Sequence, residues 1–112
     1  MKSYNLASAP RLEPVKGVEM SILGSGDKMT LIRMVIKPGA VFPEHRHINE
    51  QIGICLEGYG ELFCNGQKLK VEPGVSWCIP GNEIHSFING DQETVIIEGW
   101  SPPREDYISM AK

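Results

Sequence analysis

Apolar and β-branched stretches recur about every ten residues along the chain. Eight of them are candidate strands: Val18–Leu23, Met29–Ile36, Gln51–Leu56, Glu61–Cys64, Lys68–Val71, Val75–Ile79, Ile84–Ile88 and Thr94–Trp100. Clusters of glycine, proline, asparagine and aspartate separate them, and short strands at even spacing are typical of a β-sandwich or β-barrel. No stretch of helical length keeps an uninterrupted apolar period of 3.6 residues. The pattern therefore predicts an all-β fold.

Local signals add three expectations. The dipeptide Asn65-Gly66 between two candidate strands predicts a hairpin with a two-residue type I′ turn, which needs positive φ at both positions. Near the C-terminus, Ser101 could cap a short turn that begins with Pro102. The segment Tyr4–Val18 is a candidate edge strand that could pair with a second copy of the chain or stay covered within one chain. We expect one domain over residues 1–112, with a core barrel over about residues 15–101.

The overall composition excludes several classes of protein. A chain of 112 residues with 41% hydrophobic and 22% charged residues is typical of a single globular domain. The net charge is -3 and the basic residues are scattered, so the chain offers no surface for a nucleic-acid backbone. No apolar stretch approaches the roughly 20 residues that span a bilayer, and no signal-peptide core follows Met1. We therefore expect a cytoplasmic protein with no nucleic-acid or membrane partner.

The cysteines favour no metal-binding or disulfide framework. Cys55, Cys64 and Cys78 are an odd number, and they lack the paired spacing of zinc sites. Each lies among apolar residues in a candidate strand. We expect buried free thiols.

The three histidines are the strongest chemical signal. All of them fall within residues 39–51 and 74–85. His45, His47 and Gln51 share odd parity, so in one extended strand their side chains would point to the same face. Three of three histidines at ligand spacing predict a site for one divalent transition-metal ion, and imidazole and amide ligands suit zinc, nickel, iron, manganese and copper. Glu50 is an alternative ligand, but its parity directs it to the opposite face.

The same residues resemble the two sequence motifs of the cupin superfamily. The first motif, G-x5-H-x-H-x3,4-E-x6-G, is matched by Gly39, His45, His47, Gln51 and Gly58; the second, G-x5-P-x-G-x2-H-x3-N, by Gly74, Pro80, Asn82, His85 and Asn89. The resemblance implies a small single-domain jelly-roll barrel, also called a double-stranded β-helix. It implies a metal ion inside the barrel, held by His45, His47, Gln51 and His85.

Two positions depart from these motifs. Asn82 stands at a turn glycine, and asparagine tolerates the left-handed conformation better than most residues. Gln51 stands where glutamate is usual. A dication held by three neutral imidazoles and a neutral amide keeps its full charge, which makes it a stronger Lewis acid and more attractive to anions.

The C-terminal segment resembles the KdgF-like cupins of pectin and alginate breakdown. The similarity lies in an acidic residue, an aromatic residue two positions later and the pattern S-P-x-R-x-D-aromatic, here Glu98, Trp100 and residues 101–107. The resemblance implies a small anionic sugar acid as the substrate and conversion of 4,5-unsaturated monouronates to open-chain 4-deoxy-5-keto uronates. It implies an acid/base role for Glu98, a substrate-contacting wall at Trp100, and catalysis and carboxylate recognition by Arg104. It also implies a homodimer.

Alternatives remain at the level of the sequence. Strand parity places Thr94, Ile96, Glu98 and Trp100 on one face, but Glu98 could be a surface residue near a strand end. Arg104 could be solvated or paired with Asp106. A metal-dependent dioxygenase, and a non-catalytic cupin that binds or senses a ligand, are the competing functions.

Overall fold

Ten β-strands form two antiparallel sheets in the computed structural model, which describes residues 1–112. The strands are β1 (Arg11–Leu12), β2 (Val18–Ser25), β3 (Thr30–Ile36), β4 (Val41–His45), β5 (Glu50–Glu57), β6 (Gly60–Cys64), β7 (Gln67–Val71), β8 (Ser76–Ile79), β9 (His85–Asn89) and β10 (Thr94–Ser101). A 3-10 helix over Leu6–Ser8 precedes them, and the helix α1 (Glu105–Met110) follows them.

The chain passes repeatedly from one sheet to the other. The larger sheet has the order β1-β2-β3-β10-β5-β8, and the smaller has the order β4-β9-β6-β7. Strand β4 therefore lies between β3 and β5 in sequence but in the opposite sheet. Two antiparallel sheets connected in this way confirm the predicted all-β jelly roll.

The hydrophobic core lies between the two sheets. Alternate residues of β2 and β3 point inward, so that Met20, Ile22, Ile32 and Met34 are buried. Leu62 from the smaller sheet packs into the same cluster. Because the outer faces carry the intervening residues, the inner faces alone provide the walls of any interior site.

All eight candidate strands are present, within two residues of the predicted ends. The predicted type I′ turn is confirmed, because Asn65 and Gly66 have φ of 49° and 78°. Asn82 adopts the left-handed conformation, with φ of 66°, as its position in the motif requires. Strand β4 was not among the candidate strands, since only two of its five residues, Val41 and Phe42, are large and apolar, and a proline follows them.

Both termini differ in detail from the expectations. Within Tyr4–Val18 only Arg11–Leu12 and the first residue of β2 are strand, so the N-terminal strand is shorter than expected. It pairs with β2 and forms one edge of the larger sheet. The homodimer stays a prediction. Ser101 does not cap a helix: it is the last residue of β10, and its hydroxyl donates to the carbonyl of Lys28 at 2.7 Å. The strand continues through Ser101 because the ladder to β5 extends to Glu50.

The cysteines differ from one another in exposure. All three are free, but only Cys55 is buried, while Cys64 is partly buried and Cys78 is exposed. The expectation of buried thiols is therefore wrong for Cys78. Its alternation with the buried Ile79 places it on the outer face of β8. None of the helices is both long and apolar enough to cross a membrane.

Candidate metal centre

The three histidines lie together at one end of the barrel. His45, the last residue of β4, is the direct cross-strand partner of His85, the first residue of β9. Their ring centroids are 4.2 Å apart, and the ring of His47 lies 5.0 Å from that of His85. The nearest ligand atoms of the three side chains are all within 4.8 Å of one another. One ion can therefore contact all three.

Backbone carbonyls fix the orientation of all three rings. Each Nδ1 bonds a carbonyl two residues away: that of Pro43 at 2.8 Å for His45, of Asn49 at 3.0 Å for His47, and of Glu83 at 2.8 Å for His85. Since a carbonyl can only accept, each Nδ1 carries the proton and each Nε2 keeps its lone pair. The Nε2 atoms of His47 and His85 are buried without any partner.

These orphaned nitrogens match a transition-metal ion. A buried polar atom without a hydrogen bond is costly, and native structures rarely retain one without a reason. Burial also lowers the pKa of each histidine, to about 4 for His47, so the neutral imidazole that a metal requires is the favoured form. The donor set thus fits the metal site that the sequence predicts.

Gln51 joins this cluster by a different route from the one that parity suggested. His45, His47 and Gln51 do not share one strand: β4 ends at His45, His47 lies in the connection, and Gln51 is the second residue of β5 in the opposite sheet. The side chains of all three nevertheless line the same cavity as His85. Glu50 is exposed and does not line the cavity.

Glu98 is buried in this cavity, with 3% of its surface exposed. The reading of Glu98 as a surface residue is therefore wrong. Its Oε2 accepts hydrogen bonds from Gln51 Nε2 at 2.6 Å and from Trp77 Nε1 at 2.8 Å. Burial raises the pKa of the Glu98 carboxyl to about 7, although the two hydrogen bonds oppose that shift.

Arg104 and Trp100 form a second part of the wall. Arg104 is buried, and its Nε and Nη2 donate to the two carboxylate oxygens of Asp106 at 3.0 and 2.9 Å. Its guanidinium stacks on Tyr107 and lies 4.9 Å from the centre of the Trp100 ring. Asp106 uses the edge formed by Nε and Nη2, so Nη1 remains for another acceptor. The indole N–H of Trp100 is buried without a partner.

Apolar side chains line the rest of the cavity. Its apolar lining comes from both sheets: Met34, Ile36, Phe42, Leu62, Val71, Phe87 and Ile96. The volume is about 50 Å³. Since one water molecule needs about 10–15 Å³ of such space, this volume accommodates an ion with a few waters, and a larger ligand at the ion would displace those waters and extend beyond this volume.

Sequence reasoning missed two contributors to the site. Trp77 bonds Glu98, and the buried Asn49 donates from its side chain to the carbonyl of Pro102. Trp77 has the same strand parity as Val75 and Ile79, and this shared apolar face was a signal that it points inward. No local pattern indicated the Asn49 contact, because its partner lies 53 residues away.

Comparison with known proteins agrees with this geometry. The family model described as "Cupin domain" matches residues 32–98, which is more than half of the chain and spans the histidine cluster, Gln51 and Glu98. The chain belongs to the cupin family. A curated relative, "Pectin degradation protein KdgF" of Dickeya dadantii (strain 3937), is 26% identical to this cupin over 93 residues, which cover 82% of this chain and 84% of the relative.

Solved structures share the fold of this cupin. KdgF from Halomonas sp. superposes with a TM-score of 0.87 at 21% identity, covering 96% of this chain and 98% of that one. An RmlC-like cupin from Shewanella frigidimarina NCIMB 400 gives the same TM-score at 20% identity, covering 96% of each chain. At these identities the likeness establishes the jelly roll alone.

Proposed function

We propose that this cupin binds one divalent transition-metal ion through His45, His47, His85 and Gln51 and isomerises a small anionic sugar acid. The observation that carries the proposal is the set of inward-facing histidines, two of them with orphaned Nε2 atoms, beside a buried carboxyl group in the same cavity. The cysteines are not part of this ligand set. Zinc, nickel, iron, manganese and copper all remain candidates.

The unused donors of the cavity wall suit an anionic ligand. Nη1 of Arg104 and the indole N–H of Trp100 can both donate to a carboxylate or a hydroxyl group. A bound dication attracts the same charge. The relative in Dickeya dadantii is named for pectin degradation. Together these features favour a 4,5-unsaturated monouronate as the substrate and the 4-deoxy-5-keto uronate as the product.

The reaction is an isomerisation in which no atom is gained or lost. The bond between the ring oxygen and C1 breaks, the C1 hydroxyl becomes an aldehyde as its proton passes to the ring oxygen, and an enol remains at C5. Glu98 Oε1, which no side chain of the protein binds, would deliver a proton to C4 while the enol hydroxyl loses one, giving the ketone. When bound, a dication supplies stabilisation of negative charge on an oxygen of the acid.

The test combines metal analysis with a spectroscopic assay. Protein purified without chelator or added metal should contain close to one transition-metal ion per chain. It should also remove the absorbance of the unsaturated uronate. Glu98→Gln should keep the ion and lose turnover by about 10²–10⁴-fold, the usual contribution of proton transfer. The matched control is Glu93→Gln, the same substitution at an exposed position just before β10.

Each competing function has its own outcome in this test. Consumption of oxygen with an organic acid would replace the isomerase with a dioxygenase. Tight binding of the uronate without any change in its absorbance would indicate a cupin that only binds or senses the ligand. An active Glu98→Gln variant would remove Glu98 from the mechanism.

A further inference from the structure

One carboxylate oxygen receives two hydrogen bonds from different strands. Glu98 Oε2 accepts from Gln51 on β5 and from Trp77 on β8. An indole nitrogen can only donate, so the bond from Trp77 identifies Oε2 as an acceptor. The acceptor role of Oε2 therefore does not depend on whether the other oxygen, Oε1, carries a proton.

The absence of a Cβ at Gly53 makes the contact between Glu98 and Trp77 possible. Gly53 on β5 is the direct partner of both Glu98 on β10 and Trp77 on β8, so these three residues form one row across three strands. Neighbouring strands are about 4.8 Å apart, which would normally keep Trp77 and Glu98 about 10 Å from each other. A Cβ at Gly53 would lie 2.6 Å from Glu98 Cγ and 2.8 Å from the Trp77 ring.

The bond to Glu98 also decides how the amide of Gln51 is turned. A carboxylate oxygen that already accepts from an indole can bond only the nitrogen end of that amide. The oxygen end then remains for the cavity that Gln51 shares with the histidines. An amide turned the other way would offer an N–H group, which cannot be a metal ligand.

We propose that Glu98, held by Trp77 across Gly53, is a positioning residue for Gln51 that keeps the amide oxygen directed to an ion at the histidine cluster. The inference rests on the proposed metal site but not on the identity of the substrate. It separates the two oxygens of Glu98: Oε2 orients a ligand, and Oε1 remains for the proton transfer.

The experiment is a double-mutant cycle read out as zinc affinity. The dissociation constant of Zn²⁺ is measured by competition with a chromophoric chelator for the wild type, Glu98→Met, Gln51→Ala and the double variant. Methionine fills the space but accepts no comparable hydrogen bond. Glu98→Met should weaken zinc binding by about 10–100-fold, the usual cost of losing a partner of a metal ligand. In the Gln51→Ala background it should change affinity by less than about twofold.

A conservative variant provides the rescue. In Glu98→Gln the amide oxygen can accept from both Gln51 and Trp77, so zinc affinity should stay within about twofold of the wild type. Equal weakening by Glu98→Met in the wild-type and Gln51→Ala backgrounds would overturn the proposal, because Glu98 would then act on the ion without Gln51. Unchanged affinity in Glu98→Met would also overturn it.

A pair of glycine variants tests whether the contact between Glu98 and Trp77 requires a glycine at position 53. Gly53→Ala should weaken zinc binding as Glu98→Met does, because the new Cβ displaces Glu98 and Trp77. The matched control is Gly99→Ala on β10, where a Cβ would meet nothing closer than 3.8 Å. Equal zinc affinities of the two alanine variants would contradict the role of Gly53. A wild type that binds no zinc or other transition metal would instead remove the metal site, and the proposal with it.

Discussion

The two ends of strand β9 carry two buried polar clusters that differ in how completely their hydrogen bonds are made. At one end, His85 and His47 each have one nitrogen bonded to a carbonyl and one nitrogen with no partner. At the other end, Asn89 Nδ2 donates to the carbonyls of three residues, and Asn89 Oδ1 accepts from the hydroxyl of Thr94 at 2.6 Å. His85 and Asn89 are both about 95% buried.

This difference separates a cluster that the fold completes from one that it leaves incomplete. The bonds of Asn89 join the end of β3 to the turn between β9 and β10, and its side chain has no polar atom left for a ligand. Buried polar groups are normally satisfied, so unsatisfied ones that face each other indicate that something else completes them. Within the second motif, Asn89 is therefore used up by the fold, whereas His85 keeps a ring nitrogen without a partner.

The largest expected effect follows from removing His85, a member of the unsatisfied cluster. His85→Ala should weaken binding of zinc by about 10²–10³-fold, because roughly 10–16 kcal/mol of binding energy in a four-ligand zinc site is shared among the ligands. In metal-free protein the same change should cost about 1–2 kcal/mol, since the lost packing and hydrogen bond of the buried ring are partly offset by removal of its unpaired Nε2. Chelator competition and urea unfolding measure the two quantities. Ile88→Ala, an exposed change on the same strand, should leave zinc affinity unaltered.

Removing Asn89 should lower the stability of the fold and leave zinc affinity nearly unchanged. Asn89→Ala leaves the carbonyls of Ile36, Lys37 and Gln92 short of a donor and the hydroxyl of Thr94 without its acceptor. The free energy of unfolding should fall by about 3 kcal/mol or more, because several buried groups lose partners at about 1–3 kcal/mol each. Zinc affinity of the folded fraction should stay close to that of the wild type. A loss of zinc affinity matching that of His85→Ala would show that the two clusters are not independent.

A smaller change within the cluster around Asn89 tests how much its hydrogen bonds stabilise the fold. Thr94→Val keeps the shape of the side chain but removes the hydroxyl that donates to Asn89 and accepts from the backbone N–H of Tyr59. The expected loss in the free energy of unfolding is about 1–2 kcal/mol. A thermal or urea unfolding curve of the metal-free protein provides the measurement. A variant as stable as the wild type would mean that these hydrogen bonds contribute little to the fold.

The sequence allowed the strands and the histidine cluster to be predicted because both depend on local patterns. Alternation marks a strand wherever one face is buried, and the Asn65-Gly66 turn needs only its own two residues. The four residues named as candidate ligands do line one cavity, as the sequence predicted, although the reason given for it was partly wrong. Parity describes one strand, whereas His45 and Gln51 reach the cavity from opposite sheets.

The supporting contacts could not be predicted because they depend on the order of the strands. Trp77 and Glu98 are 21 residues apart, and only the sequence β10-β5-β8 within the larger sheet brings them together over Gly53. Arg104 illustrates the same limit. Its pairing with Asp106 and its place in the wall were open alternatives, yet the folded chain combines the two, since Asp106 uses only one edge of the guanidinium.

The smallest expected effect concerns the Arg104–Asp106 pair. Like Asn89, its members are hydrogen-bonded to partners within the protein, but Asp106 is exposed to solvent. The hydrogen bonds from Arg104 lower the pKa of Asp106 below its usual value of 3.8. A carboxyl group whose pKa is lower in the folded state stabilises the protein above its unfolded pKa, and that contribution is lost as the pH falls through the folded value. Metal-free wild type should therefore lose stability relative to Asp106→Asn below about pH 4.

The size of this effect is limited by the exposure of Asp106, whose side chain is 60% accessible to solvent. Solvent screening restricts the contribution to about 0.5 kcal/mol, which is detectable as a pH-dependent difference between the two melting curves measured from pH 6 to pH 3. Glu105→Gln, a neighbouring exposed change in the same helix, should show no such difference. A difference between wild type and Asp106→Asn that does not change with pH would mean that Arg104 is oriented by its packing on Tyr107 and Trp100 rather than by Asp106.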